Sequence, residues 1–179
     1  MRLTEPRVPP LRDDELSSEQ RELLSAGRTG TMNIFRTLVR HPALYKSWMR
    51  FGAHVLTQST LGAREREIAI LRIGHLCDAP YELHQHTEIG RRVGLTGTEL
   101  AQIQVGPDAP AWSPLDRAIV QAADDLHRDH MLSDATYRAL SAHYDTKQLL
   151  DLIFTVGQYT LVCMALNSLG VQIERAGDG

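Results

Sequence analysis

Cysteine is scarce in this sequence: Cys77 and Cys163 are the two present, and they lie far apart with no Cys-x-x-Cys pair. A secreted disulfide scaffold would carry more, so both are expected as reduced thiols in a cytoplasmic setting. A basic stripe is also missing, and the formal net charge is -3, which argues against a nucleic-acid partner. There is no glycine-rich phosphate loop and no Gly-x-Ser-x-Gly elbow. Met1 to Pro10 is polar and proline-bearing, unlike a signal peptide. The longest apolar run, Leu149 to Leu169, is interrupted by Asp151, Gln158, Tyr159 and Asn167. It reads as a helix buried in protein rather than a membrane span, and no membrane partner is expected. No segment alternates apolar and polar residues over the length of a strand, so the fold class expected is all-α.

What is present is dense helix punctuation. The 179 residues are 42% hydrophobic and 23% charged, ordinary for one globular domain with a sizeable core. Residues 1–16, with Pro6, Pro9 and Pro10, are expected to form an extended N-terminal arm, and residues 17–179 a single domain of about eight or nine helices. Ser17-Ser18-Glu19-Gln20 predicts a capping box, with Gly27 and Gly30 breaking the helix it opens. Helices are further predicted over Asn33 to Arg40, Ala43 to Thr57, Ala63 to Cys77 and Pro80 to Val93. Leu44, Trp48, Phe51 and Val55 recur at helical spacing in the second of these. Gly94 is a predicted left-handed cap, and Thr96-x-x-Glu99 a second capping box. Ser113-Pro114, Ser133 and Asp145 open the remaining helices. The last is apolar nearly all round, which suits a domain centre or a subunit interface.

The stretch from Glu67 to Leu95 carries the candidate chemistry. Glu82 and His86 are four residues apart and share one face of the helix opened by Pro80. Glu82 lies in its first turn, where the helix dipole suits an anion. Were the Ala63 to Cys77 helix packed alongside, Glu67 would reach the same place. Two carboxylates and an imidazole can transfer protons. Spacing alone equally fits a solvated or structural Glu/His pair. His84 and His86 point apart on a helix, and His127 and His130 share a face without an evident third ligand, so no metal and no cofactor are expected. Tyr45, Trp48, Phe51, Trp112 and Tyr159 fit core positions better than pocket lining. Arg72, Arg91 and Arg92 lie near enough in sequence to bind a small polycarboxylate, although helical arginines are usually solvated.

Four pieces, NIFRTLVRHP (33–42), REREIAILRIGHL (64–76), YELHQHTEIGRRVGLT (81–96) and LIFTVGQYTLVCMALNSLGV (152–171), stand in an order and spacing that resemble the carboxymuconolactone decarboxylase / alkylhydroperoxidase D superfamily. In the alkylhydroperoxidase D branch a glutamate precedes a Cys-x-x-Cys-x-x-x-His run. On that register the glutamate falls on Glu67 and the histidine on His86, while Ala79 and Glu82 hold the two cysteine positions. Tyr81 stands where that branch can carry a further histidine. The decarboxylase branch resembles this chain in lacking the thiol pair and in having a glutamate four residues before the histidine. The resemblance implies an alkylhydroperoxidase D-like helical fold and a homo-oligomer, trimer or hexamer rather than monomer. It also implies an acid–base enzyme of decarboxylase or lyase type acting on a small carbonyl or carboxylate compound. His86 would be the general acid or base, Glu82 its partner, Glu67 a relay and Tyr81 a hydrogen-bond donor. A thiol peroxidase is the alternative from the same superfamily, and needs a low-pKa thiolate and a resolving cysteine. A non-enzymatic oligomeric protein that kept the fold is the third reading.

Overall fold

Short-range capping sets most of the helix boundaries. In the computed structural model, which describes residues 3–25, 29–110 and 112–174, nine α-helices and no strand are found among the described residues. They are α1 (Ser18–Leu24), α2 (Asn33–Leu38), α3 (Pro42–Ala53), α4 (Ala63–Leu76), α5 (Pro80–Arg92), α6 (Gly97–Val105), α7 (Pro114–Arg128), α8 (Asp134–Ser141) and α9 (Thr146–Leu169). Both predicted capping boxes close reciprocally. Gln20 N–H donates to Ser17 Oγ at 3.2 Å and Ser17 N–H to Gln20 Oε1 at 2.9 Å. Glu99 N–H donates to Thr96 Oγ1 and Thr96 N–H to Glu99 Oε2. Gly94 is left-handed at φ +100°, with Leu95 N–H donating back to the Gly90 carbonyl. Gly27 lies outside the described residues.

Two boundaries differ from the pattern-based expectation. α2 stops at Leu38, because Pro42 occupies the first turn of α3 and His41 already caps it, its Nδ1 facing Leu44 N–H at 3.4 Å. α3 gives way after Ala53 to a wider π-type turn over His54–Gln58. The inward face of α3 also differs. Tyr45 is buried, whereas Leu44 and Phe51 are exposed.

The chain divides into two compact units, residues 1–56 with 165–179 and residues 57–164, without any linker composition between them. In the first, Phe35, Tyr45 and Trp48 pack ring against ring, and Leu11, Leu24 and Val39 complete a buried cluster. Residues of the N-terminal arm belong to this unit and include a short 3-10 turn over Asp13–Glu15. Arg36 fastens the arm, donating from Nε to the Leu11 carbonyl and from Nη2 to Asp13, both at 2.6 Å.

In the second unit α4 packs against α5, α6 and α7, and α8 packs on α7. Arg64 ties α4 to the first turn of α7 through Asp116 at 2.7 Å, and to α6 through Glu99. Buried Asp125 accepts from Ser133 N–H at 3.0 Å and from Thr136 Oγ1 at 2.6 Å, fixing the start of α8 to α7.

α4 and α5 form the hairpin that positions the site. Asp78, left-handed at φ +46°, turns the chain, and Ala79 N–H donates to the Gly74 carbonyl at 2.9 Å. At Gly74 a Cβ would stand 2.9 Å from a Leu83 methyl, so the missing side chain lets α5 approach closely. Glu67 lies two turns earlier on that face of α4, and His86 one turn beyond Leu83 on α5.

Candidate functional site

Glu67, Glu82 and His86 meet at this helix pair, and all three are buried. Glu67 Oε2 lies 2.7 Å from His86 Nδ1 in a buried hydrogen bond. Glu82 Oε1 lies 2.9 Å from Nε2 on the other side of the ring, the i, i+4 partner expected from the spacing. This second approach is an ion-pair contact without hydrogen-bond alignment, and it leaves Glu82 Oε1 unbonded. Glu67 Oε1 is also without a hydrogen bond. Burial of the His86 ring would by itself lower its pKa. The Glu82 charge, the Glu67 hydrogen bond and the remaining attraction of both carboxylates more than reverse that and hold it up to about 10. The ring is therefore an imidazolium near neutral pH, held between two acidic side chains.

Tyr81 is buried in the first turn of α5. The Tyr159 ring on α9 meets the imidazole edge to face, with centroids 4.9 Å apart. Burial, then the charges of Glu82 and Glu67, push the Tyr159 phenol well above its usual range, so it stays protonated as a donor. Thr155, on the same face of α9 one turn earlier, is fully buried with its hydroxyl unbonded. Tyr159 stood in the sequence as a core aromatic. Its signal was that polar Gln158 and Tyr159 interrupt an otherwise apolar helix.

The arginines fall differently from expectation. Arg72 forks onto Asp124 at 2.6 and 2.9 Å and donates to the carbonyls of Ile103 and Gln104, so it is occupied in the packing of α4, α6 and α7. Arg91 pairs with Glu88 on its own helix. The guanidinium that stands at the cluster is Arg66, with Nε 3.7 Å from Glu67 Oε1. Of the remaining candidates, Trp112 donates to the Gly106 carbonyl at 3.0 Å. Cys77 Sγ lies 3.9 Å from His127 Nδ1, at the C-cap of α4, and Cys163 is buried. A helix C-terminus opposes a thiolate. Among the described residues no three His, Cys, Asp or Glu side chains converge in an arrangement able to hold a metal ion.

Residues 42–125, which contain α3 to α6 and most of α7, match the carboxymuconolactone decarboxylase family. No protein of curated function matches the chain. Solved structures share the fold. A peroxidase-related protein with an alkylhydroperoxidase AhpD core from Ralstonia eutropha JMP134 is 18% identical with a TM-score of 0.81, over 94% of this chain and 92% of that one. A peroxidase-related protein from Silicibacter sp. TM1040 is 14% identical with a TM-score of 0.79, over 99% and 98%. The debrominase Bmp8, as a cysteine-to-alanine variant in complex with 2,3,4-tribromopyrrole, is 13% identical with a TM-score of 0.76, over 96% and 93%. At these identities the neighbours speak to fold alone, whereas the matched residues 42–125 carry both site helices. Over residues 42–125 the chain is thus similar to the carboxymuconolactone decarboxylase family, and its helical architecture is the one these alkylhydroperoxidase D-like structures share.

Proposed function

We propose that the protein is an acid–base enzyme of decarboxylase or lyase type, acting on a small carbonyl or carboxylate compound through Glu67, His86 and Glu82. The observation that carries this reading is the buried imidazole held 2.7 Å from one carboxylate and 2.9 Å from another. Glu67, sealed from solvent, fixes the ring and balances its charge. Glu82, whose Oε1 has no hydrogen bond, is the base that takes a proton from carbon beside a carbonyl. The imidazolium delivers a proton to the enolate oxygen as it forms, and the enol returns its protons by the reverse route. In a decarboxylation the same imidazolium protonates the carbanion left when carbon dioxide departs, and solvent restores its proton. Tyr81, as the sequence suggested, or Tyr159, a neutral phenol whose ring meets the imidazole, would hold an oxygen of the reacting compound.

The test is a panel of small 3-oxo and lactone carboxylates, followed by carbon dioxide release and by solvent deuterium incorporation in NMR. Turnover or exchange with at least one member is the expected result, and none with any member counts against the reading. An organic hydroperoxide with a dithiol reductant belongs in the same panel. No turnover is expected there, because Ala79 and Glu82 stand where the thiol pair would be. Hydroperoxide turnover lost in Cys77→Ser would instead favour a thiol peroxidase.

Self-assembly is the second part of the proposal. On α9, Leu150, Leu161 and Met164 are each half exposed, and a Cβ at Gly157 would meet open space. Two copies of this helix crossing antiparallel at Gly157 would set Leu150 of one against Met164 of the other, a self-complementary contact suited to a twofold axis. Sedimentation at micromolar concentration is expected to show a species heavier than the 20.0 kDa chain, and Leu161→Glu to shift it toward one chain. A monomeric wild type sinks the proposal.

A further inference from the structure

We propose that Arg66 is the binding group for a carboxylate on the substrate, which makes the ligand of the Glu67–His86–Glu82 cluster an organic anion; the inference rests on the acid–base reading of that cluster. Arg66 Nε is buried and has no hydrogen-bond acceptor. Glu67 Oε1, at 3.7 Å, is beyond hydrogen-bond reach. A buried N–H left without an acceptor is costly, and in native proteins a missing partner commonly means a ligand or water that completes the site. The Arg66 side chain keeps 12% exposure where Glu67 has none.

Further buried polar atoms on the helices that carry the cluster lack hydrogen bonds, although Glu82 Oε1 keeps its ion-pair contact with His86 Nε2. Glu67 Oε1 and Glu82 Oε1 lack hydrogen bonds, and so does the fully buried Thr155 hydroxyl on the face of α9 that carries Tyr159. The set comprises one cationic donor, one hydroxyl and two anionic acceptors. An apolar molecule would leave all of them open. A cation would suit the carboxylates but meet Arg66 and the imidazolium. A small acid suits both halves, with its carboxylate on Arg66 and a hydroxyl or acidic C–H toward Glu82. Arg72 and Arg64 on the same helix are each held by carboxylates, and Arg91 by Glu88.

The experiment compares acetate, succinate and adipate with their neutral amides, titrated into the purified protein by calorimetry with the His86 ring resonances followed by NMR. At least one acid is expected to bind roughly tenfold or more tightly than its amide, with a shift at His86. Arg66→Gln is expected to abolish that preference and Arg66→Lys to keep part of it, with unchanged circular dichroism. Should Arg66→Gln fail to fold, the acid–amide comparison in the wild type and in Arg66→Lys still decides. Equal binding of acids and amides, or a preference untouched by Arg66→Gln, overturns the proposal and leaves water as the partner of Nε. The acid–base reading fails separately, on the loss or retention of proton transfer in His86 variants, and a His86→Gln protein that still prefers acids would keep the Arg66 assignment.

Discussion

His86→Ala is expected to abolish proton transfer on any substrate the panel identifies, and Glu67→Gln to slow it by roughly 10²–10⁴-fold with the fold intact. The amide keeps the shape of Glu67 and loses its charge, so the ring keeps a neighbour at Nδ1 but no longer a counter-ion. A retained rate within about threefold in either variant would remove the catalytic assignment. The same pair sets a pH dependence. His86 has a folded pKa of about 10, raised from an ordinary 6.5. Its contribution to stability is therefore complete below about pH 6.5 and is lost as pH rises through 10. Denaturant unfolding of the wild type and of His86→Gln across pH 6–10 should show the wild type losing its advantage upward, on the order of a few kcal/mol. An advantage that grows with pH would show that burial, rather than the two carboxylates, governs the ring.

The parts of this architecture that were legible in sequence are those set within one or two turns. Ser17/Gln20, Thr96/Glu99, Pro80 and Gly94 act on backbone groups beside them, and each lies where its chemistry predicts. The Glu82–His86 pairing is of the same kind, because helical geometry alone puts both on one face. Glu67 was legible only on the condition that α4 packs alongside α5, with the superfamily register falling on the same residue. Nothing local to α4 says that α5 folds back on it, and that return depends on the Asp78 turn and the close approach at Gly74. Tyr159 and Thr155 were illegible for a stronger reason, since they arrive from a helix far along the chain. The inward face of α3 was misread because Leu44 and Phe51 have the right period but the wrong side, with Tyr45 taking the buried position. Arg72 was placed among candidate ligands because charge is visible in sequence and burial is not. Its partners are carbonyls at the end of α6 and a carboxylate on α7, and neither is marked by any motif.

Arg72→Met is expected to be among the most destabilising single changes in the second unit, at about 3–5 kcal/mol, without any direct effect on the proton-transfer cluster. The fork from Arg72 to Asp124 is largely buried on both sides, and Nη1 serves two carbonyls, Ile103 at 3.0 Å and Gln104 at 2.9 Å. These belong to the last turn of α6, whose carbonyls have no partner within the helix. Removing the guanidinium leaves one carboxylate uncompensated and two carbonyls unpaired, whereas methionine fills much the same volume, so the loss is electrostatic and not a cavity. Arg72→Lys keeps the charge but cannot form the fork, and should lie between. Asp124→Leu combined with Arg72→Met should recover part of the single-variant loss, since no isolated charge remains. Gly106→Ala attacks the same junction from the backbone. Gly106 sits at φ +110°, where an L side chain is strained, and its Cβ would stand 2.7 Å from Arg72 Nη2. Thermal unfolding of these four proteins, with carbon dioxide release or deuterium exchange measured below the transition, separates the two roles. Lowered melting temperature with a normal rate per folded molecule marks Arg72 as a packing residue. A lost rate in a stable Arg72 variant would return it to the list of substrate ligands and weaken the case for Arg66.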